Sequence, residues 1–461
     1  MADAAYWLLQ AAAHELLLFA AVGLLVGGLD DLLVDLIWIG RGIRRVGTLH
    51  PRATISTLAA PAAPGRIAVL IGAWDESAVI GSMLRHALAT FDHDDYRIYV
   101  GTYPNDPATI AAVDKVARHD RRVRLVVGDR LGPTTKADCL NQIWHALLED
   151  EARARVAYKA VVLHDAEDVV HSGELKLFDT LIERFDLVQL PVLPLVDRAS
   201  RWISGHYCDE FAEAHGKQLV VREAIGAGIP SAGVGCALSR AAIGRIADAG
   251  GGDPFDADSL TEDYEIGLKL GDFGMRGIFV RLPAAGGRSL VAVRAYFPAT
   301  LATAVRQKTR WLTGIALSGW DRLGWSGGIA ESWMRLRDRR AVLAALILAT
   351  AYAALLLELA VLAWDYAFDR PVRVPFGAGL ALLLQINLAL MVWRVAMRAA
   401  MVRQAYGWGE AARSMPRMIV GNIVAMMAAR RAVFQYLGIR AQRPAAWDKT
   451  GHVFPDAVPA E

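Results

Sequence analysis

Three apolar runs, of which the two later ones are nearly free of charge, bracket a long middle segment of mixed polarity. Nothing else limits the possible folds of this chain so strongly. A run of about 20 apolar residues is what a helix needs to cross a bilayer. Residues 341–364 and 376–393 meet that need, and residues 4–39 hold a third run interrupted by Gln10, His14, Glu15, Asp30, Asp31 and Asp35. One spanning helix ending near Leu29, followed by an amphipathic surface stretch, is expected there. No basic residue precedes the run and no small-residue cleavage site follows it, so it does not read as a cleaved signal. A fourth stretch, 418–437, carries Asn422, Arg430 and Arg431 and reads as interfacial.

Arginines mark one side of the membrane. Arg41, Arg44 and Arg45 follow the first run, Arg335, Arg337, Arg339 and Arg340 precede the second, and Arg394, Arg398 and Arg403 follow the third. The positive-inside rule therefore puts the middle segment and the C-terminal tail in the cytosol of a multi-pass protein. The expected division is 1–51 (membrane helix and amphipathic stretch), 52–340 (cytosolic domain), 341–398 (two membrane helices) and 399–461 (interfacial helix and tail). Of 461 residues, 54% are hydrophobic, which agrees with membrane segments. A formal net charge of +2 argues against nucleic acid as a partner. Cys139, Cys208 and Cys236, odd in number and without a CxxC pair, fit reduced thiols.

Within the middle segment, strand-like runs at 66–72, 96–102, 123–128 and 158–164 alternate with helical patterns. That order predicts an α/β fold with a mostly parallel sheet and helices on both faces. Ligands of such sheets bind beyond the carboxyl ends of the strands. The acids gather there: Asp75 and Glu76 after the first strand, Asp106 after the second, and Asp165, Glu167 and Asp168 after the fourth.

Each cluster has two readings. Asp165-Ala-Glu167-Asp168 has the spacing to hold a hard divalent cation, Mg²⁺ or Mn²⁺, with Glu167 or Asp168 facing the metal, or it is an acidic helix start favoured by the dipole. Asp106 either binds a base or ribose or caps the helix that Pro107 opens, and Asp75 beside Glu76 shares that ambiguity. Lys136 opposes the dipole of the helix it opens, which hints at an anion, with Asp138 and Asn141 one turn away. The glycine-rich stretch 226–235 reads as a loop beside a ligand or as a plain connector, and Asp209 and Glu213 share a helix face suited to sugar contacts.

Thr261-Glu262-Asp263 is followed by Gln307-Lys-Thr-Arg310-Trp311. A carboxylate at Asp263, with Glu262 beside it, can take a proton from an acceptor hydroxyl; at its ordinary pKa of about 3.9 it is ionised at neutral pH. The planar fork of Arg310 suits a diphosphate, Trp311 offers a face to a sugar, and Gln307 lies one turn earlier. The bland alternatives are an N-cap at Thr261 and an amphipathic helix meeting the membrane.

These motifs, TED followed by QxxRW, resemble those of the processive-type family 2 glycosyltransferases of the GT-A fold. The stretches 101–106, 163–168, 209–213, 307–311 and Trp447-Asp448-Lys449-Thr450 are similar to the NfrB-like inner-membrane glycosyltransferases linked to bacteriophage adsorption. The resemblance implies a GT-A doubly wound mixed sheet, a nucleotide-sugar donor (a UDP-sugar first), Mg²⁺ or Mn²⁺, and inversion at the anomeric carbon. It puts Asp75, Glu76, Asp106, Lys136 and Asp165 at the donor, Glu167 or Asp168 at the metal, and Asp263 at the base. Gln307, Arg310 and Trp311 fall at the acceptor and pyrophosphate. A growing glycan or lipid-linked acceptor is expected, and three spans suggest an export partner or a homo-oligomer. Members of this group can carry a C-terminal regulatory domain, and control by one is not expected from this polypeptide. A scaffold that keeps the fold without turnover is the alternative. A transporter is disfavoured by the few ionisable residues in the later spans.

Overall fold

The computed structural model describes residues 2–47, 53–285, 287, 289–370, 376–441 and 449–456. The side chain of Arg45, together with Trp447 and Asp448, lies outside them. Among the described residues seven strands form one mixed sheet: β1 (Ile67–Gly72), β2 (Tyr96–Thr102), β3 (Val123–Val127), β4 (Ala160–His164), β5 (Leu187–Gln189), β6 (Cys236–Ser239) and β7 (Gly277–Phe279). Their order is β3-β2-β1-β4-β6-β5-β7. β1 to β4 run parallel, and β6 lies antiparallel between β4 and β5. The predicted parallel half is present, and the antiparallel β6 makes the sheet mixed.

β1 reads as an unbroken apolar run because both of its faces are covered. Ile67, Val69 and Ile71 pack with the helices Ile80–Thr90 and Glu174–Leu181. Ala68 and Leu70 pack on the other side with Lys136–Ala154 and Arg240–Ala249. The chain steps outward from β1 through β2 to β3 and then returns to place β4 on the other side of β1. At this reversal the loops after β1 and β4 part, and a crevice opens between them.

Among the described residues three helices, Ala4–Arg44, Ala341–Ala367 and Ala378–Tyr406, are long and apolar enough to cross a membrane. The first differs from expectation. It does not stop near Leu29 but continues as one helix, Ala2–Gly47, through Asp30, Asp31 and Asp35. Its 46 residues span about 69 Å, more than twice a hydrocarbon core. The acids do not break it because cations meet them. Arg337 and Arg340 pair with Asp30 and Asp31, and Asp35 accepts from the Lys217 ammonium and from Trp393 Nε1 at 2.9 Å. The expected amphipathic surface stretch is thus an arm docked on the sheet domain, where Trp38 Nε1 donates to the Gly216 carbonyl at 3.1 Å.

Residues 418–437 belong to a 33-residue helix, Trp408–Arg440, that is not among the three apolar ones. Its Val424 and Ala428 pack against Tyr207, Ala304 and Val305.

Candidate functional site

The crevice leads into a cavity of about 1680 Å³ whose wall includes Lys136, Asp165, Glu167, Asp168, Glu262, Asp263, Gln307, Arg310, Trp311 and His452. The two motifs that lie apart in the sequence therefore converge, with Asp263 and Arg310 facing one space.

Lys136 is the hub. Thr135 caps its helix by accepting from Asp138 N at 3.1 Å, which frees Lys136 to reach inward. Its ammonium binds the Asp165 carboxylate and lies 4.0 Å from Glu262 Oε1. Burial alone would lower its pKa, but Asp165, Glu262 and Asp263 raise it instead. The anion that its position hinted at is thus, in the first instance, a set of protein carboxylates.

Glu262 and Asp263 begin the helix Glu262–Asp272. Thr261 takes the N-cap position without a side-chain capping bond, and its buried Oγ1 has no hydrogen-bond partner among the described residues. Gly314 leaves it space, since a Cβ there would lie 2.4 Å from that oxygen. Asp263 Oδ1 accepts from Tyr264 N at 2.7 Å. Burial raises the carboxyl pKa of Asp263, opposed chiefly by Lys136. Burial, with the charge of Asp263, raises Glu262 to about 7. The ordinary pKa expected for Asp263 is therefore corrected upward.

The glycine-rich loop sits beside this carboxylate. Gly233, at φ +74°, could not carry a Cβ without meeting Asp263 Oδ2 at 2.4 Å. The stretch 226–235 is a loop that passes beside Asp263.

Gln307, Arg310 and Trp311 lie on the helix Leu301–Trp311, which passes directly into a π-helical turn, Leu312–Ser318. π-turns of this kind cluster at functional sites. Arg310 Nε and Gln307 Oε1 are buried and lack hydrogen-bond partners among the described residues. A guanidinium so placed can take an anion without first releasing another partner. The Trp311 ring meets Tyr207 edge-on at 6.1 Å, and the Lys308 ammonium sits 5.4 Å from its centroid.

Several expected site residues are engaged elsewhere. Asp168 Oδ2 accepts from His164 Nδ1 at 2.8 Å and from Asp165 N at 2.9 Å, so its carboxylate braces the turn after β4. His164, held also by Glu174 at 2.5 Å, would be lowered by burial, but the two acids raise it to about 10. Asp106 caps its helix at Thr109 N (3.2 Å) and accepts from Asp75 N at 2.6 Å, so it shapes the loop after β1. Asn141 exchanges two hydrogen bonds with the Phe255 backbone and Asp138 pairs with Arg130, so neither is free for a ligand. Asp209 and Glu213 make no sugar site. Arg417 binds Asp209 at 2.6 Å, and Lys217 and Arg398 bind Glu213, each at 3.0 Å.

Glu167 points the other way. Burial raises it to about 8 against the opposing charge of His452. His452 comes from the tail and was not singled out in the sequence; the only signal was its place two residues past the Lys449-Thr450 motif.

The family model described as "Glycosyltransferase like family 2" matches residues 64–314. The chain belongs to this family. Two curated relatives are each 39% identical over 95% of the chain: bacteriophage adsorption protein B of Escherichia coli (strain K12) and bacteriophage N4 adsorption protein B of Escherichia coli O157:H7. The chain spans 62% of their length. Among solved structures, the mannosyltransferase PcManGT from Pyrobaculum calidifontis, in complex with GDP-Man and Mn²⁺, shares the fold at a TM-score of 0.51 and 18% identity. The match covers 88% of this chain and 98% of that one. The glycosyltransferase domain is thus a GT-A sheet joined to membrane-length helices, as the motifs implied.

Proposed function

We propose that the chain is an inverting glycosyltransferase of the bacterial inner membrane. It transfers a hexose from a nucleotide-sugar, at the cytosolic face, to a growing glycan or lipid-linked acceptor of a cell-surface or exported polysaccharide. One observation carries the reading: the half-buried Asp263 carboxylate and the Arg310 guanidinium, whose buried Nε has no hydrogen-bond partner among the described residues, line the same cavity.

In this reaction Asp263 takes the proton of the acceptor hydroxyl as that oxygen bonds to the anomeric carbon. The bond from that carbon to the nucleoside diphosphate breaks on the opposite side, and the diphosphate leaves with the electron pair. Arg310 and Lys136 oppose the charge that develops on it. Gln307 and Trp311 hold the sugar from the helix that carries Arg310. The carboxylates of Asp165 and Glu167 suit a divalent cation, since Glu167 Oε2 makes no hydrogen bond among the described residues and has only His452 Nδ1 at 3.2 Å beside it. Bound Mg²⁺ or Mn²⁺ would neutralise the leaving diphosphate. Asp168, engaged with His164, is the less suited of the two metal candidates. The mannosyltransferase of like fold binds GDP-Man and Mn²⁺, which supports a nucleotide-sugar and a divalent metal here.

The acceptor side is membrane-facing. The cavity wall runs on to Gly23, Leu24, Gly27, Ile347, Leu390 and Met391 of the three apolar helices. That apolar lining favours an acceptor carried on lipid.

Asp263→Asn is expected to lower kcat for sugar transfer in membranes by about 10²–10⁴-fold with the fold retained. Full turnover in that variant would overturn the assignment. The names of the two curated relatives favour a role in phage adsorption, and a second reading has the chain fill that role without turnover. That reading requires Asp263→Asn to leave adsorption intact, whereas an enzyme whose product serves adsorption loses both together.

A further inference from the structure

We propose that Asp338, on the helix that leads into the apolar helix Ala341–Ala367, is a positioning residue: through the Tyr264 hydroxyl it fixes where the Asp263 carboxylate stands. The inference rests on the reading of Asp263 as the base and names the group that holds it in place.

Tyr264 follows Asp263 directly, and its backbone N–H donates to Asp263 Oδ1 at 2.7 Å. That N–H is among the first four of its helix, which have no intrahelical partner, so the carboxylate takes it and turns with it. Thr261 adds no side-chain capping bond that would steady this helix start. Tyr264 is fixed from its far end instead. Its hydroxyl donates to Asp338 Oδ2 at 2.8 Å. Its buried ring packs with Leu268, Leu323 and Ile315, and Ile315 belongs to the π-helical turn that follows Trp311. The side chain is thus a strut from the base to the helix Ile329–Arg339.

Asp338 is itself held. Arg222 Nη1 donates to the same oxygen at 2.7 Å, and Arg222 Nε donates to the Gly228 carbonyl at 2.6 Å. Gly228 N donates to Glu331 Oε2 at 2.6 Å, so the loop that passes beside Asp263 is tied to the same helix as the strut. The loop also lies directly on the helix of the base, since a Cβ at Gly267 would meet Ser231 N at 2.3 Å. At the far end of that helix, Asp272 Oδ1 accepts from Arg335 Nη2 at 2.7 Å. Glu331, Arg335 and Asp338 fall on one face of Ile329–Arg339. Trp333 and Arg337 fall on another, where Trp333 Nε1 donates to Asp30 Oδ1 at 2.6 Å and Arg337 pairs with Asp31 at 3.0 Å. One short helix therefore grips the helix of the base at both ends and is itself docked on the long first helix. A shift of about 1 Å at a reacting group can cost on the order of 10²-fold in rate, so such a grip bears on turnover.

Tyr264→Phe is the decisive variant, because it removes the hydroxyl, keeps the ring and leaves Arg222 paired with Asp338. In membranes it is expected to lower kcat for sugar transfer about tenfold while the donor KM changes by less than about twofold. The hydrogen bond from Tyr264 N lowers the pKa of Asp263, so loosening it should move the acid limb of kcat/KM to higher pH. The other groups that act on this carboxylate, Lys136, Asp165, Glu262, Arg310 and Cys236, are unchanged in the variant. Asp338→Ala should repeat both changes, and the double variant should be no slower than Asp338→Ala alone, since both substitutions break one link. An acid limb in Tyr264→Phe at the parent position, or a loss confined to KM, overturns the proposal. Either result leaves Asp263 standing as the base, because that assignment is tested separately by Asp263→Asn; full turnover in Asp263→Asn would remove the base and its positioning residue together.

Discussion

Around Lys136 three carboxylates share one ammonium, and two of them, Glu262 and Asp263, are consecutive at a helix start. The helix dipole and Lys136 favour their ionised forms, while burial, the charge of Asp263 on Glu262 and that of Asp165 on Asp263 oppose it. Burial wins, so both carboxyls rise, Glu262 to about 7. A base works only when deprotonated, and a raised pKa carries the loss of activity to higher pH. The acid limb of kcat/KM is therefore expected well above pH 4, approaching 7, and to report the pair rather than one residue. Lys136→Met removes the opposing cation and should move the limb higher still. A limb near pH 4 in the parent protein would count against Asp263 as a base of raised pKa. The residue types at this site were legible because TED and QxxRW stand out in the chain. The partners were not. Asp106, Asp168, Asp209 and Glu213 look as available as Asp263 in the sequence, yet Asp106, Asp209 and Glu213 are bound by groups distant in the chain, and Asp168 by His164 four residues back.

At the level of elements, the helix Trp408–Arg440 illustrates what hydropathy misses. Its mixture of apolar and basic residues suits a membrane surface, but Arg417 is fully buried between Asp209 and Glu410. This clamps it to the helix Ile203–Glu213 of the glycosyltransferase domain. Removing one member of a buried ion cluster leaves the others uncompensated. Arg417→Ala is expected to destabilise the protein by about 3–5 kcal/mol, read as a fall in thermal unfolding temperature in detergent. An unchanged unfolding temperature would show that the clamp does not hold the domain. The long first helix makes the same point. Asp30, Asp31 and Asp35 looked like its end, and they are its docking points, since arginines and a lysine from three other helices wait for them.

Taken as a whole, the molecule places its sheet domain and the arginine clusters around Arg337, Arg340, Arg394 and Arg398 on one side of the three apolar helices, with the turn at Asp369 and Arg370 on the other. The proposed orientation makes the domain side cytosolic. In spheroplasts of the producing bacterium, Asp369→Cys should react with a membrane-impermeant maleimide, while Asp94→Cys, at the far side of the sheet, should react only after lysis. The native cysteines are buried and give little background. The reverse pattern would turn the molecule over and remove its access to cytosolic nucleotide-sugars.

Apolar periodicity, span length and two motifs indicated the fold class, the three helices long and apolar enough to cross a membrane, and two residues, Asp263 and Arg310, that line one cavity, because burial on both sheet faces and a long apolar span write themselves directly into local composition. Which acids face the cavity and which are engaged inside the fold was decided only by tertiary structure. Charge pairing depends on distance in space, and Glu76 meets His452 across 376 residues of chain that no local pattern connects.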